Sequence, residues 1–236
     1  MKQREIDFGR WLTVVVFAIA MALVESAVVF YLRTMIHRIE PHQLNPLPVI
    51  GDLGPVELVR EAATLIMLFT VGVLAGRSWP SRFGYMAIAF GVWDIFYYVF
   101  LKVMTGWPDS LLDWDILFLL PLPWWGPVLA PILISSLMIF WGTLASQLER
   151  ARSFGLSRAA RWGTSFIGIT LALYVFMADT LCVADQGVDA IRNVLPSQFN
   201  WLLFGVALML MSVSVLEIAW TTRLPESTSS APQCAN

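Results

Sequence analysis

Residues 11–32 have the sequence WLTVVVFAIAMALVESAVVFYL, an apolar run of 22 residues whose one charged residue is Glu25. A run of about 20 apolar residues is long enough to cross the hydrocarbon core of a membrane as an α-helix. A charge at that depth costs about 2.5–3.5 kcal/mol even on insertion scales, so it is rare, faces inward and is usually functional. The run therefore predicts a membrane helix and marks Glu25 as a candidate binding residue.

The rest of the chain repeats this pattern. Apolar runs predict five further membrane helices, at about 56–76, 83–104, 125–147, 162–182 and 199–220. The composition agrees, because 58% of the 236 residues are hydrophobic and 14% are charged, too few polar residues to cover a soluble core. We therefore predict an all-α fold, a polytopic membrane bundle of about six transmembrane helices. Residues 1–223 form one transmembrane domain in this interpretation, and 224–236 a disordered C-terminal tail.

The basic residues set the expected orientation. With the N-terminus inside, 10 of the 15 lysines and arginines fall in inside segments and 5 in the outward half. Because cytoplasmic loops carry the excess of basic residues, this split predicts a cell-membrane protein with both termini in the cytoplasm. Twelve of the 17 acidic residues fall in the outward half, which predicts a carboxylate-rich region there.

Residues 110–120, SLLDWDILFLL, form an apolar stretch that is too short to span a membrane. As a helix it would be roughly 16 Å long, about half the hydrocarbon thickness, and Pro121 and Pro123 prevent smooth continuation into the next span. We predict a re-entrant or interfacial half-helix that borders a cavity; the alternative is an amphipathic loop on the outer surface. The segment offers three candidate binding residues, Asp113, Trp114 and Asp115.

Two more acids lie in apolar runs at a depth similar to that of Glu25. From a rise of 1.5 Å per residue, Glu25 lies roughly 10 Å, Glu61 roughly 8 Å and Asp94 roughly 15 Å below the outer boundary. We expect the three to share one layer as binding or proton-accepting groups, with Arg60 tuning their pKa values or holding an anionic group. The structural alternative for Asp94 is an ion pair with Arg60.

Polar residues also follow Asp94 along the third predicted helix. Tyr98 and Lys102 come four and eight residues later, so the three lie on one helix face, with Tyr97 adjoining. The spacing predicts a chain of polar groups from mid-membrane to the outer surface. We expect Tyr97, Tyr98 and Trp114 to line the entrance of a pocket and Lys102 to assist Arg60.

Several classes of site lack the residues that they need. The histidines, His37 and His42, lie in one loop, and the cysteines, Cys182 and Cys234, form no CxxC pair, which argues against haem, di-iron and redox centres. No ligand spacing supports a metal, so neither a metal nor a cofactor is expected. The net charge of −2 argues against nucleic acid. Arg33, just past the first helix, is expected on a solvated face.

Three functions are compatible with this pattern. The first is binding or translocation of a small polar or cationic solute, coupled to protons, in a carboxylate-rich pocket that opens outward. The second is an intramembrane enzyme that acts on a lipid or isoprenoid at the outer leaflet, since acids in a dry pocket suit general acid catalysis. The third is a structural subunit of a larger membrane complex. Expected partners are membrane lipids, the solute or lipid substrate, and further subunits or a second copy of the chain.

Overall fold

The computed structural model describes residues 7–35, 53–147 and 158–221. Six long helices account for most of them: α1 Phe8–Met35, α2 Leu53–Ala75, α3 Trp79–Thr105, α4 Leu129–Gln147, α5 Arg158–Cys182 and α7 Trp201–Thr221. A short helix, α6 Val188–Asn193, precedes α7. Five helices, α1 to α5, are long and apolar enough to cross a membrane, and α7 adds 21 mostly apolar residues. The predicted all-α membrane bundle is confirmed, and each predicted span coincides with a long helix.

Contacts at one end of the bundle fix how the helices run. The start of α1 meets the ends of two others, because the Trp11 indole N–H donates to Thr143 Oγ1 on α4 at 3.1 Å and Arg10 donates to the Ala75 carbonyl of α2 at 3.0 Å. Helix α1 therefore runs antiparallel to α2 and to α4. Which end faces the cytoplasm stays a prediction from the basic residues.

The third helix lies at the centre of one half of the bundle and packs against α1, α2 and α4. Its N-cap, Ser78, accepts a hydrogen bond from the Ser81 N–H, and Gly106 ends the helix in a left-handed conformation, with a φ of 80°. Two glycines bring α3 and α4 together: a Cβ on Gly84 would lie 2.8 Å from the Gly142 carbonyl oxygen. Such small residues let membrane helices approach closely.

The segment between α3 and α4 forms a β-hairpin. Strand β1, Trp114–Phe118, pairs antiparallel with β2, Trp124–Pro127. The predicted half-helix at 110–120 is therefore wrong, and α4 begins at Leu129 rather than at 125 because Trp124–Pro127 belongs to the second strand. Aromatic and β-branched residues favour strands, and the prolines at 121 and 123 occupy the turn, where they displace no ladder hydrogen bond.

The hairpin enters the bundle deeply. The ring of Phe118 lies 6.1 Å from that of Phe90 and 6.3 Å from that of Trp93, which are near the middle of the 27-residue α3. The segment thus reaches to about half the height of the bundle. This depth is that of a re-entrant segment, but the segment is a hairpin and not a half-helix.

The predicted tail at 224–236 and both histidines lie outside the described residues, and the single-domain arrangement stays a prediction.

Candidate functional site

A cavity of about 800 Å³ lies between the group formed by α1 to α4 and the pair formed by α5 and α7. Its walls come from α3, α4, α5 and α7, and the hairpin closes one end through Leu117, Phe118 and Trp124. On α3 the lining runs from Pro80 to Asp94, a stretch of roughly 21 Å at 1.5 Å per residue. The cavity is therefore elongated and lies parallel to the helices.

The lining is almost entirely apolar, with one carboxylate. Among the described residues that line the cavity, Asp94 is the one with an ionisable side chain. Its Oδ2 accepts a hydrogen bond of 2.8 Å from the Ser135 hydroxyl of α4, which also lines the cavity. Asp94 is 7% exposed, so this carboxyl group is held away from bulk water. It lies one helical turn beyond Phe90 on α3.

Aromatic rings form a continuous wall beside Asp94. Ring centroids are 6.1 Å apart for Phe90 and Phe118, 5.1 Å for Phe118 and Trp124, and 6.3 Å for Trp124 and Phe176. All four of these residues line the cavity. The wall joins α3, the hairpin and α5, so aromatic side chains border this end of the cavity.

A second polar pair lies toward the opposite end of the cavity. The hydroxyl groups of Ser165 on α5 and Ser214 on α7 are 2.6 Å apart, and both residues line the cavity. Trp162, one turn before Ser165, lines the same end. The cavity thus has an acidic end at the hairpin and a hydroxyl-lined end near the start of α5.

The three acids predicted to share a layer have separate partners. Glu25 forms an ion pair with Arg60 and accepts a hydrogen bond of 3.3 Å from the Thr64 hydroxyl. Arg60 also pairs with Glu57, one turn earlier on α2, through an Nε–Oε2 bond of 2.9 Å. The alternative pairing of Arg60 with Asp94 is wrong, because its guanidinium faces Glu25 and Glu57. Glu25 belongs to an ion-pair cluster between α1 and α2 and not to the cavity lining.

Glu61 has a different role from Glu25, although both lie at similar depth. Its Oε1 accepts a hydrogen bond of 2.8 Å from the backbone N–H of Leu119 at the hairpin turn. On the far side of the same turn, the Thr180 hydroxyl of α5 donates to the Pro123 carbonyl at 2.8 Å. These two side chains satisfy backbone groups that lack ladder partners at a depth where water is scarce.

Asp115 holds the stem of the hairpin. It is fully buried, and its Oδ1 accepts a 2.9 Å hydrogen bond from the guanidinium of Arg33, which also lies over the Trp107 ring at 4.5 Å. Burial raises the pKa of Asp115 above its ordinary value, while the charge of Arg33 opposes the rise. The prediction of a solvated Arg33 is wrong. Helix α1 extends to Met35, so Arg33 lies within it and is 8% exposed.

The remaining predicted site residues form contacts at the end of the bundle where the hairpin enters. Lys102 donates to the Gly106 carbonyl and pairs with Asp109 at 3.2 Å, so the expected chain of polar groups from Asp94 through Tyr98 to Lys102 is not formed. Tyr98 is buried, with its ring 6.3 Å from that of Trp107.

Three more of them lie near the same end. The ring of Tyr97 stacks on Trp93 at 6.2 Å. Asp113 Oδ2 accepts from the backbone N–H groups of Asp109 and Ser110, which closes the turn before β1. Trp114 packs edge-on against Phe199 at 6.1 Å.

Sequence reasoning missed Ser135, Thr180 and the buried position of Arg33. A hydroxyl residue inside an apolar run does not indicate a functional role by itself, because its partner on the neighbouring helix is not known from the sequence.

Within the described residues, no group of three or more His, Cys, Asp or Glu side chains is arranged to hold a metal ion. No protein-family model, curated protein or solved structure matches this chain.

Proposed function

We propose that this membrane protein binds an apolar or amphipathic molecule, of lipid or isoprenoid type, in the cavity between α3, α4, α5 and α7. The observation that carries the proposal is the cavity of about 800 Å³, whose lining, among the residues that the structure describes, is apolar except for Asp94 and three serines. Binding sites for organic molecules have this composition, a mostly hydrophobic wall with a few convergent polar groups. Ser135 and Asp94 supply such a pair at the hairpin end.

The shape of the cavity supports an extended ligand. The lining covers 15 residues on each of three helices, from 80 to 94, from 131 to 145 and from 162 to 176, and the 14 steps in each range amount to roughly 21 Å of helix. Over their described residues, α3 and α5 are not packed on each other, whereas α3 packs on α4 and α5 packs on α7. We place the entrance in the gap between α3 and α5, through which a chain passes sideways from the lipid.

A small polar solute suits the cavity less well than a lipid does. Glu25 and Glu61, which were expected to help bind such a solute, are engaged with Arg60 and with Leu119 respectively. Asp94 faces aromatic and aliphatic side chains, which would not replace the hydration shell of a small polar molecule. The second candidate function is a reaction on the bound lipid, and Asp94 favours it because a carboxyl group shielded from water is a suitable general acid.

Binding can be measured with a pyrene-labelled hexadecanol added to the protein in phosphatidylcholine nanodiscs, by energy transfer from tryptophan. We expect saturable binding to the unmodified protein. In Ala172→Phe the added ring would occupy the cavity, because Ala172 lines it and is 4% exposed. The matched control is Ala20→Phe on the exposed face of α1.

The two variants give opposite expectations. Ala172→Phe should weaken binding by about tenfold or more, equivalent to 1.4 kcal/mol or more, and Ala20→Phe should leave it unchanged. Leu173→Trp, at a neighbouring lining position, provides a second obstruction if Ala172→Phe does not fold. Absence of saturable binding, or equal binding by the obstructed and control variants, would contradict the proposal.

A further inference from the structure

The carboxylate of Asp94 has no cationic partner among the described residues. The basic side chains at the hairpin end are engaged elsewhere: Arg33 with Asp115, Arg60 with Glu25 and Glu57, and Lys102 with Asp109. The described hydrogen-bond donor to Asp94 is the neutral hydroxyl of Ser135. A buried carboxylate without a counter-charge is costly, so its neutralisation must come from a proton or from a ligand.

The surroundings of Asp94 suit an organic cation. Phe90 lies four residues before Asp94, so the two share one face of α3. Through Phe90 the carboxylate adjoins the aromatic wall that continues over Phe118 to Trp124. Aromatic faces attract ammonium groups, most strongly where water is excluded. A carboxylate beside such faces is the combination that recognises an alkylammonium group.

Resting on the proposed function, we infer that the cavity ligand is a cationic amphiphile. Its ammonium group pairs with Asp94 at the hairpin end of the cavity, and its hydrocarbon part lies along α3, α4 and α5 toward Trp162. The length of the cavity, roughly 21 Å, accommodates one extended chain in that direction. Ser135 positions the carboxylate through its 2.8 Å hydrogen bond and leaves Oδ1 to the ligand.

Three pyrene-labelled probes test the charge of the ligand independently of the proposed function. They share one hexadecyl chain and differ in the head group. One carries a trimethylammonium group, one a hydroxyl group and one a carboxylate. All three are titrated into the protein in phosphatidylcholine nanodiscs. We expect the ammonium probe to bind about tenfold or more tightly than the alcohol, and the carboxylate probe to bind weakest. The trimethylammonium group cannot lose a proton, so its charge is fixed.

Variants at the carboxylate locate the source of the preference. Asp94→Asn keeps the shape and an oxygen that accepts from Ser135; it should abolish the preference for the ammonium probe over the alcohol. Asp109→Asn removes a carboxylate whose side chain is 84% exposed and controls for general attraction of cations to the surface.

Each result decides the inference. Equal affinities for the ammonium and alcohol probes, or a preference that survives Asp94→Asn, would overturn the assignment of a cationic ligand while leaving the apolar cavity as a binding site. Loss of the preference in Asp109→Asn would also overturn it, since the carboxylate of Asp94 is intact in that variant. Failure of all three probes to bind would overturn the proposed function and the inference together.

Discussion

Glu61 on α2 accepts a hydrogen bond from the backbone N–H of Leu119, with an oxygen-to-nitrogen distance of 2.8 Å. This bond joins a membrane helix to the turn of a hairpin that reaches the middle of the bundle. Irregular backbone at such a depth occurs only where protein groups satisfy it. Phe118, the residue before Leu119, lines the cavity. Glu61 therefore fixes the position of the hairpin end of the cavity.

Removal of the Glu61 acceptor should destabilise the protein. Glu61→Ala leaves the Leu119 N–H without this partner, and an unsatisfied buried donor costs about 1–3 kcal/mol. Glu61→Gln retains a side-chain oxygen in the same place and should lose less stability. The midpoint of thermal unfolding in detergent measures both. Equal midpoints for Glu61→Ala and the unmodified protein would show that the bond does not hold the hairpin.

Replacement of one partner of the Arg33–Asp115 ion pair should lower the free energy of unfolding strongly. Arg33→Met leaves a fully buried carboxylate without its counter-charge, and breaking a buried pair in this way costs about 3–5 kcal/mol. Adding Asp115→Asn to Arg33→Met should recover much of that loss, which a double-mutant cycle of unfolding free energies would measure.

The exposed pair of Lys102 and Asp109 is the control for that cycle. Its side chains are 50% and 84% exposed, and such surface pairs contribute about 0–1 kcal/mol. Lys102→Met should therefore change the unfolding free energy little. A similar loss in Lys102→Met and Arg33→Met would contradict the structural role given to the buried pair.

Close approach of α3 and α4 should make Gly142 intolerant of a side chain. A Cβ at this position would lie 2.4 Å from the Gly84 carbonyl oxygen, so the helices must separate to admit it. Gly142→Ala should lower the unfolding midpoint, with an overpacking cost of about 1–3 kcal/mol. Because α3 and α4 both line the cavity, their separation in the same variant should also alter the affinity for the cavity probes.

Gly163 on α5 is the matched control, because a Cβ there meets no atom within 4 Å. Gly163→Ala should be neutral or stabilising by up to about 1 kcal/mol, the difference in helix propensity between glycine and alanine. Parallel losses in Gly142→Ala and Gly163→Ala would indicate that glycine serves a general role in these helices, and would count against the close contact.

The helices were predictable from the sequence because each apolar run is long enough to span a membrane. The hairpin was not, since the strand partner of residues 114–118, Trp124–Pro127, comes after two prolines. The spacing of apolar residues in such a short segment does not show which other segment it pairs with as a strand. The same limit applied to Arg33, whose burial depends on a carboxylate 82 residues away.

The candidate site was predictable in part. Asp94 was identified from a charge in an apolar run, and it does line the cavity. Glu25 and Glu61 gave the same signal, although their partners are an arginine and a backbone amide. Depth along a helix can be estimated from residue numbers. The direction in which each carboxylate points depends on how the helices are rotated against one another, which residue numbers do not give.

Photo-crosslinking tests the central claim, an extended apolar ligand inside the bundle, most directly. A hexadecyl chain carrying a diazirine is incorporated in the membrane, irradiated, and mapped on the protein by peptide mass spectrometry. We predict labels at cavity residues Met86, Leu173 and Met211, and their suppression by excess unlabelled hexadecyl chain. Labels confined to lipid-exposed residues such as Phe140 and Leu202, with no competition, would contradict the account.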